Sequence, residues 1–206
     1  MINKIETDIT LMVDLNNINL QLKKRMNKER YKHSCQVSKV AEKIAEHYKI
    51  STFKAKLVGL IHDCAKDYSL EELKVLIRRY KIKLNDIEKK IPSLWHAFVG
   101  AELARDIFHI NNKDMIDAIK YHSTGYRYFG TLGKIIYISD KIEPDRGFAR
   151  LEKIREMVWE NIDLAMLELL NQEIKSLIDR NAIIHPETLY TRNKIIIEKR
   201  NKLADE

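Results

Sequence analysis

Apolar residues recur at intervals of three and four along most of the chain, which is the period of amphipathic helices rather than of strands. Glycine and proline are scarce, at six and three of 206 residues, so few positions interrupt the pattern. The expected fold class is therefore all-α, a single helical bundle. The pattern predicts helices over residues 11–26, 31–48, 52–65, 69–80, 93–108, 112–122, 130–141 and 151–180, with a last helix after Pro186.

Several polar side chains fall at the ends of these predicted helices. A Pro-Ser pair starts a helix just before His96, and a glycine follows His122 as a stop signal. Asp140 falls in the last turn of an apolar helix that Pro144 ends. Because neighbouring helix ends can converge in a bundle, we expect these side chains to share one cavity.

The composition and the cysteine spacing indicate the cellular compartment of the protein and the chemical classes of partner that it could bind. Cys35 and Cys64 lie far apart without CxxC spacing, so neither a disulfide framework nor a thiolate zinc site is indicated. The first residues carry acids where a signal peptide needs basic residues, and no segment is apolar for long enough to span a membrane. We therefore expect a cytoplasmic protein. The net charge of +7 favours nucleic acid, a membrane surface or a phosphorylated small molecule as partner, unless it only reflects a lysine-rich proteome.

The dipeptide His62-Asp63 lies in an apolar stretch, residues 55–66, that is predicted to be buried around most of its circumference. A carboxylate that is buried without a partner costs several kcal/mol, so a metal ion or another cation is expected beside it. The dipeptide alone is weak evidence, since chance supplies it in many chains. Its apolar setting makes it a candidate site.

Three further histidines and one aspartate surround this dipeptide in the sequence, namely His33, His96, His122 and Asp140. Taken singly, a histidine is more often structural than ligating. The complete order is His, His-Asp, His, His and Asp on successive predicted helices. This order resembles that of the ligands in binuclear HD-domain phosphohydrolases.

The flanking residues resemble one group of that family in particular, the YqeK-type symmetrical bis(5′-nucleosyl)-tetraphosphatases. The resemblance runs across the whole chain, and it departs from the usual pattern at Cys64 and Ser139, neither of which is a ligand position. The matching stretches are Arg-Tyr-Lys-His at 30–33, Gly-Leu-Ile-His-Asp-Cys-Ala-Lys-Asp at 59–67, His-Ala-Phe-Val-Gly-Ala at 96–101, Tyr-His-Ser-Thr-Gly at 121–125, Ile-Ser-Asp-Lys-Ile-Glu-Pro-Asp-Arg at 138–146 and the segment 183–193.

The resemblance implies a binuclear metal site with six ligands. Imidazole and carboxylate ligands together suit iron, manganese, cobalt or zinc better than magnesium, and iron is the metal we expect first. Two such ions can hold a hydroxide and clamp the phosphoryl oxygens of an in-line displacement. The implied ligands are His33, His62, Asp63 and Asp140 for one ion and His96 and His122 for the other, with Asp63 bridging both.

Two cationic side chains are expected to bind the polyphosphate. Lys66 lies one turn after the His-Asp dipeptide, so its ammonium should project from the same helix face and act in catalysis together with Asp63. Arg146, just past a helix end, could bind a phosphate with its bidentate fork. Both could instead be ordinary solvated side chains. The ligands expected to contact substrate as well are His33, His96, His122 and Asp140.

The C-terminal segment offers a further set of candidate contacts. Ile183 and Ile184 could line a nucleobase pocket, and Thr188 could contribute a hydroxyl. The same residues could equally form only a turn before the last helix.

The function implied by the resemblance is hydrolysis of diadenosine tetraphosphate, and of related dinucleoside polyphosphates, to two ADP by a metal-bound hydroxide. Two alternatives stay open: another HD-family activity, such as a nucleotidase or a signalling-nucleotide pyrophosphatase, and a non-catalytic module that binds a nucleotide or RNA. The expected layout is an N-terminal helical extension at 1–29, the HD domain at 30–182 and a C-terminal helical segment at 183–206 packing on it. A homodimer is compatible with this layout, and nucleic acid is not an expected partner.

Overall fold

A computed structural model describes residues 15–145 and 151–204 of the chain. Over these ranges the chain forms α-helices and one short 3-10 helix and contains no strand, which confirms the all-α prediction. The α-helices are α1 (Leu15–Arg25), α2 (Lys28–His47), α3 (Thr52–Ile61), α4 (Leu70–Arg79), α5 (Asp86–Lys90), α6 (Trp95–Asp106), α7 (Lys113–Tyr121), α8 (Thr131–Ile142), α9 (Glu152–Glu160), α10 (Ile162–Asp179) and α11 (Pro186–Ala204), and the 3-10 helix is Pro92–Leu94.

Helix α8 lies at the centre of the bundle, where it packs against α2, α3, α7 and α10. Its residues Ile135, Ile136, Tyr137 and Ile138 are completely buried, as expected of a helix that is apolar around its circumference. Burial of a side chain of this size stabilises the fold by roughly 1.5–3 kcal/mol. The packing therefore fixes the last turn of α8, which carries Asp140, inside the bundle.

Helices α2 and α3 approach each other closely at Gly59. A Cβ atom at this position would lie 2.7 Å from the Cα of Ser38 on α2. The hydroxyl of Ser38 donates a hydrogen bond of 2.7 Å to the backbone carbonyl of Lys56, which links the two helices. The end of α3, where the His-Asp dipeptide follows, is thereby held against the helix that carries His33.

The prediction of one helix over 151–180 is wrong. Helix α9 ends at Glu160 and α10 begins at Ile162, because Asn161 adopts extended backbone angles, with φ of −155° and ψ of 106°. The Asn161 side chain accepts hydrogen bonds from the backbone N–H groups of Asp163 and Leu164 and so caps α10. A single asparagine inside an otherwise continuous apolar period gives too weak a signal to reveal such a break.

Two smaller differences from the prediction concern the end of α3 and an additional short helix. Helix α3 stops at Ile61 rather than at residue 65, and the chain turns over residues 62–67. The short helix α5 was not expected; it is capped reciprocally by Asn85 and Glu88. The predicted stop after α7 is confirmed, since Gly125 adopts a φ of +77° that favours glycine.

The two terminal helices pack onto the rest of the bundle. Helix α1 buries Ile18 and Leu22, and Asn19 on it accepts a 3.0 Å hydrogen bond from the Tyr31 hydroxyl on α2. Helix α11 packs on α10. Among the described helices, none combines the length and the apolar character needed to cross a membrane.

Candidate metal centre

The six predicted ligands come together at one place inside the bundle. Ring centroids of neighbouring histidines in the group lie 5.0 to 5.5 Å apart. Five of the six residues are buried and the sixth, His33, is nearly so. They are supplied by α2 (His33), the turn after α3 (His62 and Asp63), the first turn of α6 (His96), the residue after α7 (His122) and the last turn of α8 (Asp140).

Three of these histidines are oriented by the same local hydrogen bond. Nδ1 of His62, His96 and His122 lies 2.7 to 2.8 Å from the backbone carbonyl oxygen three residues earlier. Because a carbonyl oxygen only accepts, Nδ1 must donate, and the proton of the neutral ring is fixed there. Nε2 of each ring is therefore left as an acceptor inside the site, which is the state that a metal ligand needs.

His33 is held by two carboxylates instead. Its Nε2 lies 3.1 Å from Oδ1 of Asp140, and its Nδ1 lies 3.3 Å from Oε1 of Glu143. Glu143 is buried, and its second oxygen accepts a 2.8 Å hydrogen bond from the backbone N–H of Asp145. The ring of His33 is thereby fixed from both sides.

The centre of the cluster has more acceptor atoms than donors. Within the described ranges, Nε2 of His62 and Oδ1 of Asp63 are buried without a hydrogen-bond partner. Oδ1 of Asp63 lies 3.3 Å from Nε2 of both His96 and His122, and these two nitrogens are 3.2 Å apart. Such lone pairs repel one another unless a cation lies among them, so these residues fit a bound metal. Two groups have ligand atoms within 4.8 Å of one another, namely His33, His62 and Asp140, and His62, Asp63 and His122.

The electrostatics of the cluster also favour metal ligation. Burial by itself raises the pKa of Asp63 and Asp140, but His62 beside the first and Lys141 beside the second outweigh it, and both pKa values lie well below the ordinary range. Burial lowers the pKa of His122 to about 4, against the opposing effect of Asp63. The two carboxylates are therefore ionised at neutral pH, and His122 is an unprotonated donor.

Two further cationic side chains border the cluster, besides Lys141 at Asp140. Arg30 donates a hydrogen bond of 2.6 Å from Nη1 to Oδ2 of Asp63, and Nζ of Lys66 lies 3.3 Å from Nε2 of His96. Burial lowers the pKa of the Lys66 ammonium, whereas the charge of Asp63 raises it. Arg30 and Lys66 thus place positive charge next to the predicted ligands Asp63 and His96.

A cavity of about 560 Å³ is lined by residues that adjoin two of the predicted ligands, although none of the six ligands lines it. Its lining includes Ser93, whose carbonyl holds the ring of His96, and Ser123, which follows His122. Of the predicted C-terminal contacts, Ile183 and Thr188 line this cavity, whereas Ile184 does not. Ile183 and Thr188 thus belong to the wall of this cavity, and their contact with a substrate stays a prediction.

Arg30 and Glu143 contact predicted ligands but were not singled out from the sequence. Arg30 precedes His33 by three residues and Glu143 follows Asp140 by three, so a one-turn spacing from each ligand was the available signal. Arg146, the predicted phosphate-binding cation, lies outside the described residues.

Comparison with known proteins agrees with this geometry. The HD domain model matches residues 30–145, which is more than half of the chain and contains all six predicted ligands. This chain belongs to the HD-domain family. Divalent metal binding is a property of HD domains, and the histidine and aspartate groups described above could hold metal ions in this HD domain.

Full-length relatives narrow the family further. The symmetrical bis(5′-nucleosyl)-tetraphosphatase of Bacillus subtilis (strain 168) is 31% identical over 175 residues, which cover 85% of this chain and 94% of the relative. The protein of the same name from Halalkalibacterium halodurans is 35% identical over 182 residues, which cover 88% and 97%. The resemblance inferred from the motifs is confirmed.

A solved structure supports the fold independently. The crystal structure of a protein described as a predicted HD superfamily hydrolase involved in NAD metabolism, from Clostridium acetobutylicum, matches this HD-domain chain with a TM-score of 0.87. The two are 33% identical, and the match covers 91% of this chain and 99% of that one.

Proposed function

We propose that this HD-domain protein is a symmetrical bis(5′-nucleosyl)-tetraphosphatase, an acid-anhydride hydrolase that converts diadenosine tetraphosphate to two ADP. The observation that carries the proposal is the buried histidine and aspartate cluster beside an open cavity, in a chain whose curated relatives of that name match most of its length. The substrate is thus a small dinucleoside polyphosphate.

The proposed cofactor is a pair of metal ions. The mixture of imidazole and carboxylate ligands favours iron, with manganese, cobalt or zinc as alternatives. When bound, the ions would supply an activated water and positive charge for the in-line displacement at phosphorus. The proposed ligands are His33, His62, Asp63 and Asp140 for one ion and His96, His122 and the shared Asp63 for the other.

Positive side chains would bind the polyphosphate next to this centre. Lys66 can place its ammonium on a phosphoryl oxygen, because it lies beside the His96 ring within the cluster. Arg30 adds a second cation beside Asp63, and Arg146 is proposed as a third. Charge develops on the phosphoryl oxygens in the transition state, so cations that are already in position contribute strongly to the rate.

The cavity is the proposed site for one nucleoside. Its volume of about 560 Å³ lies within the usual range for small-molecule pockets, roughly 300–1,000 Å³. Ile183 offers an apolar surface to a base and Thr188 a hydroxyl; Ile184 stays a predicted contact. The remaining proposed substrate contacts are the ligands His33, His96, His122 and Asp140.

Symmetric cleavage follows from holding one ADP half in this cavity. With its β-phosphorus beside the metal ligands, water forms a new oxygen–phosphorus bond there and the bond to the central bridging oxygen breaks. The leaving group is the second ADP, and the proton lost by water passes to solvent. Attack at the α-phosphorus would give ATP and AMP instead.

A substrate panel tests this proposal. Purified protein loaded with iron or manganese should release ADP from diadenosine tetraphosphate much faster than it hydrolyses nucleoside monophosphates or guanosine tetraphosphate, as measured by chromatography of the products. A clear preference for either of those substrates would indicate a different HD-family activity. Nucleotide binding without turnover would indicate a binding module.

We also propose the following organisation. The catalytic domain spans 30–182, because α9 and α10 pack on helices within the HD match; residues 1–29 form an N-terminal extension and residues 183–206 a C-terminal helical segment. The proposed location is the cytoplasm, where its two free cysteines would stay reduced. A homodimer and the absence of nucleic acid as a partner stay predictions.

A further inference from the structure

Glu143 is a buried carboxylate without a role in the function proposed above. It follows α8 immediately, and its side chain is 4% exposed. Both of its oxygens are engaged, Oε1 with Nδ1 of His33 at 3.3 Å and Oε2 with the backbone N–H of Asp145 at 2.8 Å. The carboxylate therefore has one defined orientation behind the His33 ring.

The backbone at Glu143 is fixed as well. Arg155 on α9 donates hydrogen bonds from its guanidinium to the carbonyl oxygens of Ile142, at 2.9 Å, and Glu143, at 3.1 Å. These carbonyls end α8, where the last backbone acceptors point out of the helix, so a guanidinium satisfies them well. The position of the carboxylate is set by α9 as well as by α8.

His33 differs in this respect from the other histidines of the cluster. The rings of His62, His96 and His122 each donate Nδ1–H to a neutral backbone carbonyl. Among the described contacts, only His33 has a carboxylate at Nδ1. An ionised acceptor makes the stronger hydrogen bond and raises the basicity of the opposite ring nitrogen.

We propose that Glu143 is the positioning residue for His33: its carboxylate fixes the Nδ1–H tautomer and makes Nε2 of His33 a strong metal ligand. The inference rests on the metal centre of the proposed function. It assigns to Glu143 a part in metal affinity rather than contact with substrate. The segment 138–146 then supplies a ligand, Asp140, and the support for a second ligand on another helix.

The variant Glu143→Gln removes the charge of the side chain and changes the His33 tautomer that it favours, while it nearly keeps the shape of the side chain. Gln has nearly the size of Glu, and its amide oxygen can still accept from the N–H of Asp145. Its NH2 group then faces Nδ1 of His33 and can only donate. Nδ1 becomes an acceptor, the ring proton moves to Nε2, and Nε2 can no longer bind a metal.

The test is zinc titration of metal-free, full-length protein, combined with a long-range proton–nitrogen NMR spectrum of the zinc-loaded form. We expect E143Q to weaken zinc binding about 10- to 100-fold, and the His33 signals to lose the pattern of an Nδ1-protonated, Nε2-bound ring. A structural role alone would leave that pattern unchanged. Glu71→Gln is the matched control, because Glu71 is exposed and pairs only with Lys74 among the described contacts.

Zinc affinity of E143Q within about twofold of the wild type, or an unchanged His33 pattern, overturns the inference. If E143Q does not fold by circular dichroism, Glu143→Asp replaces it; this variant keeps the charge but withdraws the carboxylate, and wild-type affinity for zinc would again overturn the inference. The zinc titration contains no substrate, so it tests metal binding separately from activity. A wild-type protein that binds zinc but yields no ADP in the product assay would refute the proposed activity alone. A wild-type protein that binds no zinc would refute both.

Discussion

Asp63 is the residue at which the proposed metal site and the proposed substrate site meet. One of its oxygens is paired with Arg30 at 2.6 Å, and the other is buried against His96 and His122 without a hydrogen-bond partner among the described residues. This division suits a carboxylate that contacts two metal ions while a cation balances its remaining charge. The role of Asp63 is therefore open to a direct test.

Replacing Asp63 by Asn should remove both metal binding and activity. Asn keeps the size of the side chain but not its charge, so we expect metal content to fall and ADP release to drop by roughly 10³-fold or more, equivalent to several kcal/mol. Elemental analysis and a product assay measure the two effects. Asp86→Asn is the control, because Asp86 is exposed and pairs with Lys89, away from the cluster; full activity of D63N would contradict the assignment.

Replacing Lys66 by Met should slow catalysis without removing the metals. Met keeps an apolar stem but removes the ammonium, so kcat/KM should fall roughly 10²-fold as an electrostatic contribution is lost. Metal content should stay unchanged, because Lys66 is not a ligand. Lys74→Met, which removes an exposed lysine paired with Glu71, should be neutral. Loss of metal from K66M would show that Lys66 supports the site rather than the substrate.

At the residue scale, the sequence predicted the six members of the cluster better than the residues that contact them. The six could be found because their order on successive helices is distinctive. The contacts of Arg30 with Asp63 and of Glu143 with His33 join residues 33 and 110 positions apart, and no local pattern encodes such pairs. Their one-turn spacing from other ligands was visible, but the same spacing is common on any helix.

At the scale of elements, the site depends on the close packing of α2 and α3. Gly59 permits this approach, and its carbonyl also holds the ring of His62 at 2.8 Å. The ends of α6, α7 and α8 then bring three further side chains to the same point. The geometry of the cluster is thus a consequence of helix packing.

Replacing Gly59 by Ala should destabilise the protein. The new methyl group would lie 2.7 Å from a backbone atom of Ser38, so the two helices must separate, at a cost of about 1–3 kcal/mol. Chemical denaturation followed by circular dichroism measures the change. Gly100→Ala is the matched control: it also lies inside a helix, but its nearest neighbours are 3.6 Å away, and alanine's helix propensity should make it neutral or stabilising by up to about 1 kcal/mol. Equal stability of G59A and wild type would refute the steric argument.

The positions of the helices were predictable from the apolar periodicity, whereas the breaks between consecutive helices were less predictable. The interruption at Asn161 depends on one capping side chain and the short α5 on a reciprocal pair, Asn85 and Glu88, and such local signals weigh little against a continuous period. Helix α3 ends early because the residues after it turn toward the cluster. Tertiary contacts decide such endings, and a single sequence contains little information about them.

At the scale of the whole molecule, the cavity joins segments that are distant in the sequence. Ser93, Ser123 and the stretch around Ile183 and Thr188 line one cavity, in which Ser93 and Ser123 adjoin the cluster at His96 and His122. From residue spacing alone, the C-terminal segment could be either the wall of a pocket or only a turn before the last helix. The fold places Ile183 and Thr188 in the wall of that cavity, and their contact with substrate stays a prediction.

The most direct measurement is the product of a single round of hydrolysis in heavy-oxygen water. Metal-loaded protein acting on diadenosine tetraphosphate should give ADP alone, and half of the ADP molecules should carry one heavy oxygen on the β-phosphate, as detected by mass spectrometry. This result means that water attacks next to the central anhydride oxygen. ATP and AMP as products, or ADP without heavy oxygen, would contradict symmetric hydrolysis at this site.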